Sequence, residues 1–312
     1  MALGTGSAED GSEVRAVRRF VPMEAPLVDA ARRGDGAALE KLAGALWDRA
    51  YNLAVRFLWN TEDAEDAVQE IVEATLAALP RFRSASSFST YAYAIAVRRL
   101  RSTAASPMER AGLTFEAYQE DTGPAHEAPT LIGFVSAADR PLLEQELKRS
   151  CTYGMLLCLD RADRLLYILH SFFALGGAEA SGILGLSHAA YRKRLSRVRS
   201  RMAAFMREVC GLAGSAACRC ADRVEYAASL GRIDPRSPRF ASLSGDRSPD
   251  LAEVEAGLAS MEELDAATAV FRLDGALQGR PGGESALSLL VALRPAILRA
   301  SVRKERLPAR GR

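Results

Sequence analysis

The sequence predicts an all-α protein: two small helical bundles joined by a linker, then a helical C-terminal extension. Three observations predict it. Apolar residues recur at three- and four-residue steps over long stretches, the period of a helix with one buried face. The first block shows no strand-like alternation. Gly34, Gly36, Pro80, Gly176, Gly177 and Gly185 punctuate the pattern, and such residues end or turn helices.

Residues 1–24 are polar, rich in Gly, Ser and charge, and predict a disordered segment. Leu27, Ala30 and Ala31 open the first bundle, residues 25–104, with a short face that breaks at Gly34-Asp35-Gly36. Leu39, Leu42, Ala43, Leu46 and Trp47 then share one face, which Tyr51, Val55 and Leu58 continue. Asn60 and Thr61 predict a cap for the next helix, with Glu62 and Asp63 in its first turn, where acids complement the helix dipole. Ala64, Val68, Ile71, Thr75 and Leu79 line its buried face, and Pro80 ends it. Phe88 to Arg101 predicts a further helix, rich in aromatic residues and arginine.

Residues 105–138, with Pro107, Gly123-Pro124 and Pro129, predict a linker carrying at most one short helix. The second bundle spans 139–212, with helices over Leu142–Leu159, Arg161–Leu175 and Glu179–Leu184. Gly185 then supplies a tight turn. Leu186 plugs the angle, and Ser187 caps a long helix whose stripe is Leu195, Val198, Met202 and Phe205. A Cys-containing linker follows at 213–250. The extension, 251–312, predicts helices over Leu251–Leu277 and Glu284–Val302.

Composition narrows the function. The 312 residues suffice for two or three small domains, and 48% apolar with 26% charged residues indicates a soluble globular chain. The N-terminus has no signal-peptide core, and no window approaches 18 uninterrupted apolar residues. Five cysteines are an odd number for a disulfide framework. A cytoplasmic protein without a membrane partner is expected. No Gly-rich phosphate loop, Ser/His/Asp set or paired-carboxylate pocket emerges, and there are three histidines, so an enzyme is not expected.

The net charge is only +2, yet its distribution is uneven. Thr61 to Thr75 holds six acids and no base, and His188 to Arg201 holds six Arg/Lys and no acid. Like charges at i, i+4 repel, so the acidic face suits a basic partner, although surface charge is most often simply solvated. The basic helix begins like the reading helix of a helix-turn-helix. His188, Ala189, Arg192, Lys193, Ser196, Arg197 and Arg199 are its DNA-side candidates. Each bidentate Arg–guanine contact is worth about 1–3 kcal/mol of discrimination. A solvated basic helix is the plain alternative. The aromatic helix mixes Phe88, Tyr91 and Tyr93 with Arg98, Arg99 and Arg101. That mixture suits single-stranded DNA, where rings stack on bases and cations hold the backbone. Aromatics at helical spacing are also ordinary core residues.

In this order the segments resemble a known family. Leu27 to Arg101 resembles region 2 of bacterial sigma-70 factors of the extracytoplasmic-function (ECF) group. The likeness rests on Ala31–Leu39, Asp63–Glu70, Leu79–Arg83 and Phe88–Ala96. Leu142 to Met206 resembles region 4, most clearly at Gly185-Leu-Ser and Tyr191–Arg199. The resemblance implies a factor that binds core RNA polymerase and directs promoter recognition. Asp63, Asp66, Gln69 and Glu70 would dock on the clamp helices of the largest subunit. Phe88, Tyr91, Tyr93, Arg98, Arg99 and Arg101 would serve the −10 element, and the reading helix would serve the −35 element. An anti-sigma factor is a further partner class that the family admits. Two other readings stand beside it: a helix-turn-helix regulator acting without polymerase, and a sigma-like interaction protein that binds no promoter.

Cys210, Cys218 and Cys220 form C-x7-C-x-C. Three thiolates with a fourth ligand make a tetrahedral zinc site, a redox-sensitive cluster is a second reading, and ordinary cysteines beside a turn are the third. The apolar stripes of the extension must be buried somewhere, and folding back on the two bundles to regulate access is the expected arrangement.

Overall fold

The computed structural model describes residues 23–83, 85–122, 135–213, 218–241, 269–271 and 277. Among these the regular structure is helical and contains no strand. Apart from residues 23–24, 269–271 and 277, the segments expected as a disordered N-terminus (1–24) and as extension helices (251–277 and 284–302) lie outside the described residues.

Helix α1 spans Ala25–Arg32 and begins on Pro26, whose fixed φ suits a first turn. Helix α2, Gly36–Leu58, is capped by Asp35, whose side chain accepts from Ala38 N, and ends at Trp59 in a left-handed conformation, φ 51°. Helix α3, Thr61–Ala78, has the predicted cap: the Asn60 side chain accepts from Glu62 N and Asp63 N. Such caps are each worth about 1 kcal/mol. Pro80 sits in a 3-10 turn that closes α3. Helix α4, Phe88–Ser102, is capped by Ser87.

Two helices, α5 (Pro107–Arg110) and α6 (Phe115–Thr122), occupy the first part of the expected linker. They are docked on the bundles. Phe115 and Tyr118 meet Phe205 at ring distances of 4.7 and 5.7 Å. The Tyr118 hydroxyl donates to Cys151 O at 2.9 Å. Proline and glycine mark loops well, but they hide a short amphipathic turn such as Phe115–Tyr118.

Helix α7 spans Arg140–Leu157. Helix α8 spans Arg161–Ser171, capped by Asp160. It stops short of Leu175, because the chain turns left-handed at Ala174, φ 50°, and Leu175 N reaches back to Leu169 O at 3.2 Å. Helix α9, Gly177–Leu184, ends on Gly185 at φ 70°. Helix α10, His188–Val209, is capped by Ser187 as predicted. Leu186 packs against the core as the expected plug. Leu195 is only half-buried, and Tyr191 takes the buried place beside Val198, Met202 and Phe205. Helix α11, Cys220–Ser229, lies where a linker was expected. Its Val224 and Ala227 join Leu143 of α7 and Ile233 in a small satellite core.

The two expected bundles share one core. A single cluster of buried residues runs from Met23 to Leu277, and α2 packs on α3 and α1 as well as on α7 and α8. Every residue of α2 from Ala50 to Leu58 is buried, the signature of a helix enclosed by neighbours. Arg164 of α8, 2% exposed, donates to the carbonyls of Phe57, Leu156 and Leu159 and to Glu109. Glu109 also holds Arg161, so α5 is stitched to α8 by a paired charge cluster. Buried charges persist only when paired and hydrogen-bonded in this way.

A second polar anchor lies on α7. The buried Glu146 carboxylate accepts from three successive backbone amides, Arg239 N at 3.0 Å, Phe240 N at 2.7 Å and Ala241 N at 2.6 Å. Arg149 donates to Phe240 O at 3.1 Å. The Phe240 ring meets Tyr153 edge-on at 5.2 Å. Glu146→Ala leaves three buried donors without an acceptor, and its expected cost is about 3 kcal/mol of unfolding free energy. Urea denaturation checks this, and a loss below about 0.5 kcal/mol would contradict the anchoring role.

Candidate functional site

The acidic face belongs to α3. Ala64, Ala67, Val68, Ile71, Val72 and Thr75 turn inward, which leaves Glu62, Asp66, Gln69 and Glu70 exposed and Asp63 half-exposed on the outer side. Gln69 Nε2 donates to Glu73 at 3.2 Å. Glu70 faces Arg99 of α4 at 3.9 Å, both well exposed, and exposed pairs of this kind contribute little to stability. The four residues expected to dock on polymerase therefore form one continuous, solvent-facing edge.

Helix α4 divides its aromatic residues. Tyr91 is half-buried, and with Ile95, Arg98, Arg99 and Ser102 of α4 and Ala74 and Ala78 of α3 it lines an open groove of about 410 Å³. Arg98, Arg99 and Arg101 are exposed. Phe88 and Tyr93, expected beside them at the DNA face, are core residues instead, 4% and 3% exposed. Phe88 packs on Phe82 at 5.1 Å and on Tyr91 at 6.2 Å. Tyr93 meets Phe173 edge-on at 5.2 Å, and burial pushes its phenol pKa up, only partly offset by Arg49. In this arrangement neither ring is open to a base.

Part of the covering surface comes from α9. Thr90 Oγ1 of α4 donates to Glu179 Oε1 of α9 at 2.6 Å. Arg101 donates to Leu184 O at 3.2 Å. The sequence gives no sign of this pairing, since an isolated Glu179 at the start of a helix also serves the dipole.

The outer face of α10 is basic. His188, Ala189, Arg192, Lys193, Ser196 and Arg197 are exposed, and Arg199 is half-buried. Ala189, Arg192, Lys193, Leu195, Ser196 and Arg199 line an open cavity of about 570 Å³. Arg194 points elsewhere: it pairs with Asp163, and with Asp160 at 3.2 Å, at the start of α8. That pairing fixes α10 against α8 and leaves the neighbouring cations to face outward.

Four of the five cysteines lie close enough to influence one another: Cys151, which the C-x7-C-x-C spacing did not include, with Cys210, Cys218 and Cys220. Gly211 N donates to Cys218 O at 2.8 Å, which draws the two ends of the motif together. The Tyr118 hydroxyl also reaches Cys151 Sγ at 2.9 Å. Among the described residues, no group of three His, Cys, Asp or Glu side chains is arranged to hold a metal ion. Burial pushes the thiols up, Cys210 to about 11 and Cys218 and Cys220 also upward. At neutral pH they are protonated and poor nucleophiles.

Residues 42–106 match sigma-70 region 2. The match makes that segment, 65 of the 312 residues, similar to sigma-70 region 2. It runs from the middle of α2 through α3 and α4 to Ser106, and so contains both the acidic edge and the aromatic-basic helix. No curated protein matches the chain. Among the described residues no helix is long and apolar enough to cross a membrane. Asn52 and Arg56, inside the region 2 segment, are buried polar residues that the sequence reading passed over. Their signal was present: two polar residues one turn apart within the apolar run Ala50–Leu58.

The thiol pKa values carry a pH consequence. A thiol whose folded pKa lies above its unfolded value of roughly 8.5 adds stability that is complete below that pH. The contribution fades as pH rises towards the folded value, because the unfolded chain then ionises first. Melting temperature is expected to fall between pH about 8.5 and about 11. Cys210→Ser is expected to flatten that fall, as read by calorimetry across the range.

Proposed function

We propose that the chain is a sigma factor of the ECF type, which binds core RNA polymerase and brings it to promoters. The observation that carries this reading is the single segment 42–106. It matches sigma-70 region 2 and presents an outward acidic edge at Asp63, Asp66, Gln69 and Glu70. In this reading that edge docks on the basic clamp helices of the polymerase. Tyr91, Arg98, Arg99 and Arg101 contact the −10 region. Arg192, Lys193, Ser196, Arg197 and Arg199, with His188 and Ala189 at the helix start, contact the −35 region.

The division of labour follows from chemistry. A helix-turn-helix places the N-terminal part of its second helix in the major groove. His188 to Lys193 are then nearest to base edges, and Arg197 and Arg199 nearest to phosphates, which set register without reading sequence. The open groove beside Tyr91 has an aromatic wall and two arginines, a combination that accepts an unstacked base and its phosphate. The work is binding and strand separation, with no covalent step assigned to this chain. A cytoplasmic location and an anti-sigma partner follow from the same reading.

One observation favours a second reading. Phe88 and Tyr93 are buried against the chain's own core, which suits a sigma-like protein that engages polymerase without melting a promoter. Run-off transcription with purified core polymerase and a genomic fragment library separates the two. Promoter-dependent transcripts are expected. Stable polymerase binding without transcripts would select the second reading.

The docking edge is tested by Asp66→Lys with Glu70→Lys. Both side chains are exposed, so stability is expected to change by less than about 0.5 kcal/mol. Polymerase affinity is expected to fall at least about a hundredfold, or 2.7 kcal/mol. Co-sedimentation with core enzyme measures this, and an undiminished complex would remove the docking assignment.

A further inference from the structure

The four neighbouring thiols have no part in promoter recognition, and the backbone joins two of them. Cys210 closes α10 in an extended conformation, and its amide donates to Met206 O at 2.7 Å. The next amide, Gly211 N, donates to Cys218 O at 2.8 Å. One such bond leaves the Cα atoms of Cys210 and Cys218 about 5–7 Å apart, the separation that a disulfide bridges. Glycine permits the approach, because a Cβ at position 211 would overlap the Cys218 carbonyl oxygen. Neither cysteine is fully buried and neither is bridged, and hydrogen peroxide is little larger than water.

The four thiols are unequal. Burial pushes all of them up, Cys151 and Cys220 well up and Cys210 to about 11. Cys218 differs in its partner. The Arg223 guanidinium of α11 lies against it, and that charge and its hydrogen bond to the sulfur offset part of the cost of burial. Arg223 also stands over the Tyr226 ring at 5.7 Å. Cys218 is therefore the thiol of the group that gives up its proton most readily, and the thiolate is the nucleophile.

We propose that Cys218 and Cys210 form an oxidation site that takes a hydroperoxide and closes to a disulfide. The Cys218 thiolate attacks one peroxide oxygen. An S–O bond forms, the O–O bond breaks, and the leaving hydroxide takes the proton that Cys218 gave up and becomes water. Cys218 is then a sulfenic acid. The Cys210 sulfur attacks it: the S–S bond forms, the S–O bond breaks, and the departing hydroxide takes the Cys210 proton as a second water. The two sulfurs together lose two electrons, and the peroxide gains them. The thiolate fraction is small at neutral pH, so the site answers sustained peroxide and not traces. Its product is a covalent tie between the end of α10 and the chain that enters α11, where the reduced protein has one hydrogen bond. The chemistry stands apart from the sigma reading.

The test treats the full-length chain with millimolar hydrogen peroxide and maps its peptides by mass spectrometry. A Cys210–Cys218 bridge is expected, reversed by dithiothreitol, with a melting temperature at least about 4 °C higher in the bridged form. Cys210→Ser is expected to stop at the sulfenic acid, so that dimedone labels Cys218. Cys218→Ser is expected to give neither a bridge nor a dimedone label at Cys210. Gly211→Ala keeps every thiol and is expected to slow bridging at least about tenfold, because the two Cα atoms are forced apart. Circular dichroism follows the helices of each variant, and should Gly211→Ala lose them, the two serine variants decide. A bridge that uses Cys151 or Cys220 instead overturns the proposal. So does a Cys218 that passes to the sulfinic acid unbridged, or a chain whose thiols all stay reduced.

Discussion

Burial of the second half of α2, Ala50–Leu58, on every side is the constraint on which the rest of the structure depends. A helix enclosed by α1, α3, α7 and α8 can carry polar side chains only where partners are guaranteed. Asn52 and Arg56 meet that condition by bonding to each other and to a backbone from the far end of the chain. The arrangement makes the central helix a joint. Its first neighbours are local in sequence, its later ones are distant, and the polar pair bonds across that divide.

The two charged faces and the aromatic helix then separate by cause. The acids of α3 and the bases of α10 turn outward because their opposite faces are filled with Ala, Val, Ile, Met and Phe. Helix α4 is different, since it has apolar or aromatic groups on two sides. One side, with Phe88, Ala92, Tyr93, Ala96 and Leu100, is buried. The other, with Tyr91 and Ile95, lines a groove with arginines. A helix of this kind gains by being covered, and α9 supplies part of that cover.

Much of this was legible in the residues. Asn60 and Ser187 were read as caps because a short polar side chain before an apolar period has few other uses, and Gly185 as a turn because the next helix begins three residues later. The acidic edge was legible because its six acids left only the small and apolar residues to face inward. Phe88 and Tyr93 were not legible as core, since stacking on a base and packing in a core require the same rings at the same spacing. The docked α5 and α6 were concealed by the prolines around them. Asn52 could not be matched with its partner, because the two lie 225 positions apart and nothing local in either records the other. Cys151 stayed outside the cysteine motif for the same reason: thiols on separate elements have no spacing to read.

The distance from Asn52 to Leu277 also sets an order of events during synthesis. At about 5–20 residues per second, the 225 residues between them take roughly ten to forty-five seconds to make. Throughout that interval Asn52 exists without the backbone groups it bonds to at Leu277. A nascent molecule therefore passes through a period in which the network of Asn52, Arg56 and Phe172 is incomplete.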